Sequence, residues 1–142
     1  MNNFVRSQSM KYIVKTNEMP WKPKFFPGED KQYGDFKPLW QEHGTEQFEV
    51  RLTRIPGGET NTKYHTHTKE EEWFYVLSGS CHIHIEGEWY LIEQGDSVFK
   101  PTGAYHIFRN FGTEPCELIM LGTNVEDNEV HRLPEPDPPE TT

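Results

Sequence analysis

Apolar and polar residues alternate through the middle of the chain. Phe48, Val50 and Leu52 are separated by Glu49, Arg51 and Thr53, and the same period returns at Cys81, Ile83 and Ile85. Such alternation puts one set of side chains on each face of an extended strand. Residues 63–67, 72–77, 89–92, 97–100, 105–110 and 116–122 read as further strands. Turn signals separate them: Pro56-Gly57-Gly58, Ser78-Gly79, Glu86-Gly87, Gln94-Gly95-Asp96, Pro101-Thr102-Gly103 and a loop over 111–115. No helix-length 3.6 periodicity occurs there. Short strands between closely spaced turns predict an all-β sandwich or barrel.

Both ends break this pattern. Residues 1–44 hold Pro20, Pro23, Pro27 and Pro38 among Trp21, Phe25, Phe26, Tyr33, Phe36 and Trp40. Prolines at this density argue against a helix. The aromatics need cover, so the segment is expected to be an irregular arm wrapped on the core or on a partner subunit, with at most a short strand over 10–15. Residues 125–142 are acidic and carry Pro134, Pro136, Pro138 and Pro139, which predicts a mostly disordered tail. One barrel is expected over 45–124, because no internal repeat suggests two.

Composition narrows the function classes. A chain of 142 residues suits one domain with a real core. Its formal charge of -9 repels nucleic acid and anionic membrane, so neither is an expected partner. The first ten residues lack the apolar stretch of a signal peptide, and no run approaches membrane-spanning length. A cytoplasmic protein is expected, with Cys81 and Cys116 as reduced, buried small hydrophobes.

Candidate chemistry centres on His65-Thr66-His67. In a strand, residues two apart share a face, so both imidazoles can reach one point. Glu70, Glu71 and Glu72 follow, and imidazole with carboxylate suits a divalent transition metal. Further on, Gly95, Pro101, Gly103, His106 and Asn110 stand in fixed spacing. Here the chain resembles the cupins. Their second motif, G-x5-P-x-G-x2-H-x3-N, is matched at every position. Their first, G-x5-H-x-H-x(3,4)-E-x6-G, is matched through His65, His67, Glu72 and Gly79, with Gly58 one residue early.

This resemblance implies a double-stranded β-helix, a jelly-roll barrel, like that of small stand-alone bacterial cupins. It implies one divalent metal (Fe, Mn, Ni or Zn) on His65, His67, Glu72 and His106. Glu72 alone stands six residues before Gly79 and shares parity with Phe74 and Val76, which leaves Glu70 and Glu71 as a solvated turn. Three neutral imidazoles and one carboxylate would leave a dication with a net charge of about +1, which favours an anionic or enolisable small molecule. Cupins with such ligands include dioxygenases, oxalate-degrading enzymes and isomerases; a non-catalytic metal-binding or sensor module is the alternative. No separate general base is evident.

Phe74 and Phe108 share parity with Glu72 and His106 and are candidate pocket residues, together with Tyr64. Arg51 and Arg54, on the strand before the metal strand, are candidates for a substrate carboxylate. His82 and His84 form a second H-x-H, but Cys81, Ile83 and Ile85 take the inner face of that strand, so these histidines are expected outside. Asn110 is expected to hold a turn. An aromatic arm and exposed strand edges both predict a homodimer.

Overall fold

A computed structural model describes residues 11–140. Eleven strands form it: β1 Lys22–Phe25, β2 Gln32–Lys37, β3 Phe48–Ile55, β4 His65–His67, β5 Glu72–Ser78, β6 Ser80–Ile85, β7 Glu88–Glu93, β8 Ser97–Lys100, β9 His106–Arg109, β10 Cys116–Thr123 and β11 Val130–Arg132. They lie in two antiparallel sheets, ordered β1-β2-β3-β10-β5-β8 and β11-β4-β9-β6-β7. Each strand read from alternation or turn spacing is present, with ends shifted by one or two residues.

The core fills the space between the sheets. Ile55, Phe74, Val76, Leu118 and Met120 face inward from the larger sheet, and Cys81, Ile83, Ile92 and Phe108 from the smaller. Full burial of such side chains is worth about 1.5–3 kcal/mol each, enough to hold two faces together. Both cysteines are free and buried. Asn110 is buried and fully occupied: Nδ2 donates to the carbonyls of Ile55 (2.9 Å) and Glu114 (2.7 Å), and Oδ1 accepts from Gly112 N–H (2.9 Å). It ties the 111–115 loop to the end of β3.

The two ends differ from expectation. The arm is not irregular: β1 and β2 form a hairpin, and β2 pairs with β3, so the arm extends the larger sheet. Pro23 is tolerated because β1 is the outermost strand, where a missing N–H breaks no ladder. A helix, α1 Leu39–His43, also forms. Pro38 sits at its N-cap rather than inside it, so its missing donor costs nothing there. Residues 11–15 form no strand; Met10 and the rest of the opening decapeptide lie outside the described residues. At the other end, Val130–Arg132 is not disordered but pairs along β4. Trp89 Nε1 donates to the Asp137 carbonyl (2.7 Å), holding the end of the chain on the outer face. No described helix is long and apolar enough to cross a membrane.

Gly79, between β5 and β6, has φ +73, and an added Cβ would strike the Pro115 carbonyl oxygen. Gly87 has φ +86 but opens into free space. Gly87→Ala should therefore cost only the left-handed backbone penalty, about 1–2 kcal/mol. Gly79→Ala adds a backbone collision and should cost about 3–4 kcal/mol. Urea unfolding midpoints of the two variants check the difference.

Candidate metal centre

The site lies where the two sheets face each other across one end of the core. The smaller sheet supplies His65 and His67 from β4 and His106 from β9, with His65 directly opposite His106 in the ladder. The larger sheet supplies Glu72 at the start of β5 and Lys100 at the end of β8, which are themselves cross-strand partners. Strand parity decides which side chains point in. The turn at 68–71 carries the chain from one sheet to the other.

Glu72 is the hub. Its Oε1 lies 3.6 Å from Lys100 Nζ, 3.7 Å from His106 Nε2 and 3.9 Å from His67 Nε2. These are too long for hydrogen bonds, and neither Glu72 Oε1 nor Lys100 Nζ has a hydrogen-bond partner although both are buried. Such atoms cost free energy unless something else satisfies them. Burial pushes the Glu72 carboxyl up, against the pull of Lys100 and Arg51.

Burial disfavours the charged form of these three histidines. Burial lowers His65 and His67 to about 4 and His106 well below its ordinary value. His65 Nδ1–H donates to the Lys63 carbonyl (2.6 Å), which leaves Nε2 as an open lone pair. His65, Glu72 and His106 each bring one donor atom within 4.8 Å of the others, and His67, Glu70 and Glu72 do the same. Unprotonated nitrogens converging on an unsatisfied carboxylate fit a divalent cation, so these groups are positioned to bind one.

They line a cavity of about 280 Å³ together with Lys24, Phe26, Glu49, Arg51, Asn61 and Gly122. That is near the lower limit of ligand clefts, which begin at about 300 Å³, so the occupant is small. Glu71 is exposed, as expected for a solvated turn, but Glu70 is not. It is half-buried on the cavity wall, 3.9 Å from His67 Nδ1, and burial together with Glu72 raises it to about 7. Two features turn it inward. Gly122 leaves the space, since a Cβ there would meet Glu70 Oε1 at 2.6 Å. Asn128, from the segment before β11, accepts from the N–H groups of Lys69 (2.8 Å) and Glu70 (3.0 Å) and shapes the turn. Its amide nitrogen stands 3.4 Å from His67 Nδ1.

The other sequence candidates divide. Arg51 lines the cavity; Arg54 does not. Arg54 points to the opposite face of β3, pairs with Asp35 (3.3 Å) and stacks over Trp21 (4.4 Å). Phe74 and Phe108 are buried behind the site, with rings 5.6 Å and 5.9 Å from that of His106, and support it rather than line the cavity. Tyr64 lies outside, against His84 (5.2 Å) and Tyr105 (5.5 Å). His82 and His84 face away from the site, packed against Trp89. Lys24, Glu70 and Lys100 escaped the sequence reading. For Lys100 a signal existed: it shares parity with Val98, which packs on the core.

The chain matches the family model of the cupin domain over residues 51–122. It therefore belongs to the cupin family. It is 30% identical over 92 residues, 63% of its length, to the mannose-1-phosphate guanylyltransferase of Escherichia coli. Those residues make up only 19% of that enzyme, so the chain spans about a fifth of the guanylyltransferases it matches. Among solved structures, a protein named as a candidate sugar phosphate isomerase from Acidithiobacillus ferrooxidans superposes with a TM-score of 0.77 at 28% identity, over 89% of this chain and 82% of that one. A sugar phosphate isomerase of the cupin superfamily from Silicibacter pomeroyi gives 0.76 at 20% identity, over 85% and 81%, a likeness of fold.

The apolar core cluster contains none of the histidine or carboxylate donors. Chelation should thus leave the fold intact: the far-ultraviolet circular dichroism spectrum in excess EDTA is expected to match that of the metal-loaded protein, whereas a coil spectrum would show that the ion holds the sheets together.

Proposed function

We propose that this cupin is a metal-dependent isomerase of a small phosphorylated sugar, with the ion held by His65, His67, Glu72 and His106. The observation that carries it is the cavity itself: neutral imidazoles and Glu72 gathered at one place, with a further carboxylate, Glu70, facing the same small space. The similarity to the Acidithiobacillus protein supports the substrate class.

When bound, a divalent ion supplies Lewis-acid polarisation of a substrate carbonyl and hydroxyl. The chain's own groups do the rest. Lys100 holds the Glu72 carboxylate from behind, and the rings of Phe74 and Phe108 hold His106 in place. Glu70 acts as the proton carrier: its carboxylate takes the proton from the carbon next to the carbonyl and returns it to the neighbouring carbon, while the hydroxyl proton crosses between the two oxygens. Nothing is oxidised or reduced overall, so no second cofactor is needed.

Two measurements test this. Mass spectrometry of the purified protein should find about one equivalent of divalent metal, lost in Glu72→Gln and in the His65→Ala, His106→Ala pair but kept in Glu70→Gln. Proton NMR in D2O with hexose and pentose phosphates should show deuterium entering the carbon beside the carbonyl, slowed about 10²–10⁴-fold in Glu70→Gln. Oxygen uptake with small carboxylates and no exchange with any sugar phosphate would replace the isomerase with a dioxygenase. Tight ligand binding with no turnover would make it a sensor.

The same reading keeps a homodimer. Trp73, Leu77 and Phe99 remain exposed on β5 and on the edge strand β8. Light scattering should report two copies, and a monomer would refute the pairing.

A further inference from the structure

We infer that Lys24 and Arg51 form a phosphate-binding subsite in the metal cavity, built by the N-terminal hairpin and the strand it pairs beside. Both side chains line the cavity that holds the histidines and Glu72. Lys24 comes from β1, outside the region that matches the cupin domain, and Arg51 opens that region.

Neither side chain has a described carboxylate within hydrogen-bond distance. Lys24 Nζ makes one hydrogen bond, to the Asn61 carbonyl (3.0 Å), and no described carboxylate pairs with it. Arg51 lies with its guanidinium over the Trp40 ring (5.0 Å) and near the Phe36 ring (6.0 Å), which leaves its N–H edge free. Its ion-pair neighbour is Glu49, at 3.8 Å, beyond hydrogen-bond length, and Glu70 and Glu72 feel its charge across the same cavity. Burial, and after it the nearby Arg51, lower Lys24 to about 7 against the opposing pull of Glu72.

The charge balance of the cavity agrees. Glu49, Glu70 and Glu72 are offset by Lys24, Arg51 and Lys100, so a divalent ion adds an uncompensated double charge. A phosphate monoester, with nearly two negative charges and three acceptor oxygens, matches two cations with unused donors better than a single carboxylate does. The subsite deepens the function proposed above, since it names what would hold the phosphate end of the sugar, and that reading supplies its other end.

Isothermal titration of the metal-loaded protein with inorganic phosphate tests it. The wild type should bind phosphate, and Lys24→Gln and Arg51→Gln should each weaken binding about tenfold or more. Lys24→Arg should restore it, and metal content should be unchanged in all three. Circular dichroism verifies that the variants fold. Absence of phosphate binding to the wild type, or binding by both glutamine variants as tight as that of the wild type, would overturn the subsite. So would binding that survives the glutamine changes but vanishes in the His65→Ala, His106→Ala pair, because the anion would then sit on the metal alone. Binding that depends on Lys24 in a protein that takes up no metal would uphold the subsite and overturn the metal assignment instead.

Discussion

Everything around the site answers to one buried carboxylate. Glu72 starts β5 where the sheets come together, and moving a charge of that kind out of water costs several kcal/mol unless it is compensated. Lys100 stands behind it on the neighbouring strand, and His67 and His106 stand before it on the opposite sheet. These contacts are all longer than hydrogen bonds, so the carboxylate is surrounded rather than satisfied. That is the electrostatic condition of a cation site: donors are held near one another by the fold, at a free-energy cost that the apolar core offsets and a bound ion would recover.

The rigidity that such a site needs comes from backbone pairing. β4 contributes only three residues, too few to be stable alone, yet it is bordered by β9 on one side and β11 on the other. Registered pairing of His65 with His106 fixes the relation of two donors, and the β11 pairing keeps β4 from becoming a frayed edge. The segment before β11 has a second effect, because Asn128 shapes the turn that aims Glu70 into the cavity. The last stretch of the chain is thereby part of the site's support.

The N-terminal hairpin does the matching work on the larger sheet. It covers what would be the open edge of β3, and it brings Lys24 and Phe26 to the cavity wall. Trp40, on the helix that follows, stacks on Arg51. The cupin strands between 51 and 122 carry the histidines and Glu72, while part of the charge that would choose a substrate comes from outside them. The cavity is therefore built jointly by the cupin strands and by the hairpin that precedes them.

The barrel strands were legible in the sequence because their determinants are local, and the gathering of His65, His67, Glu72 and His106 at one cavity was legible through the spacing of the cupin motifs. Period-two alternation reports a strand whatever its neighbours, and parity puts His65 and His67 on one face, while Glu72 and His106 were joined to them only by the motif spacing shared with cupins. The hairpin at 22–37 was not legible, since Pro23 disqualifies a strand unless it lies on an edge, and edge position is a property of the sheet. Val130–Arg132 read as tail for a similar reason: its weak propensity is overridden by the ladder that β4 offers. The glutamate run divides at the same boundary. Spacing to Gly79, together with strand parity, singled out Glu72 as the motif carboxylate. That Glu70 also turns inward depends on the room left by Gly122 and on an amide contributed by Asn128, and contacts between residues so far apart in sequence exist only once the sheets have closed.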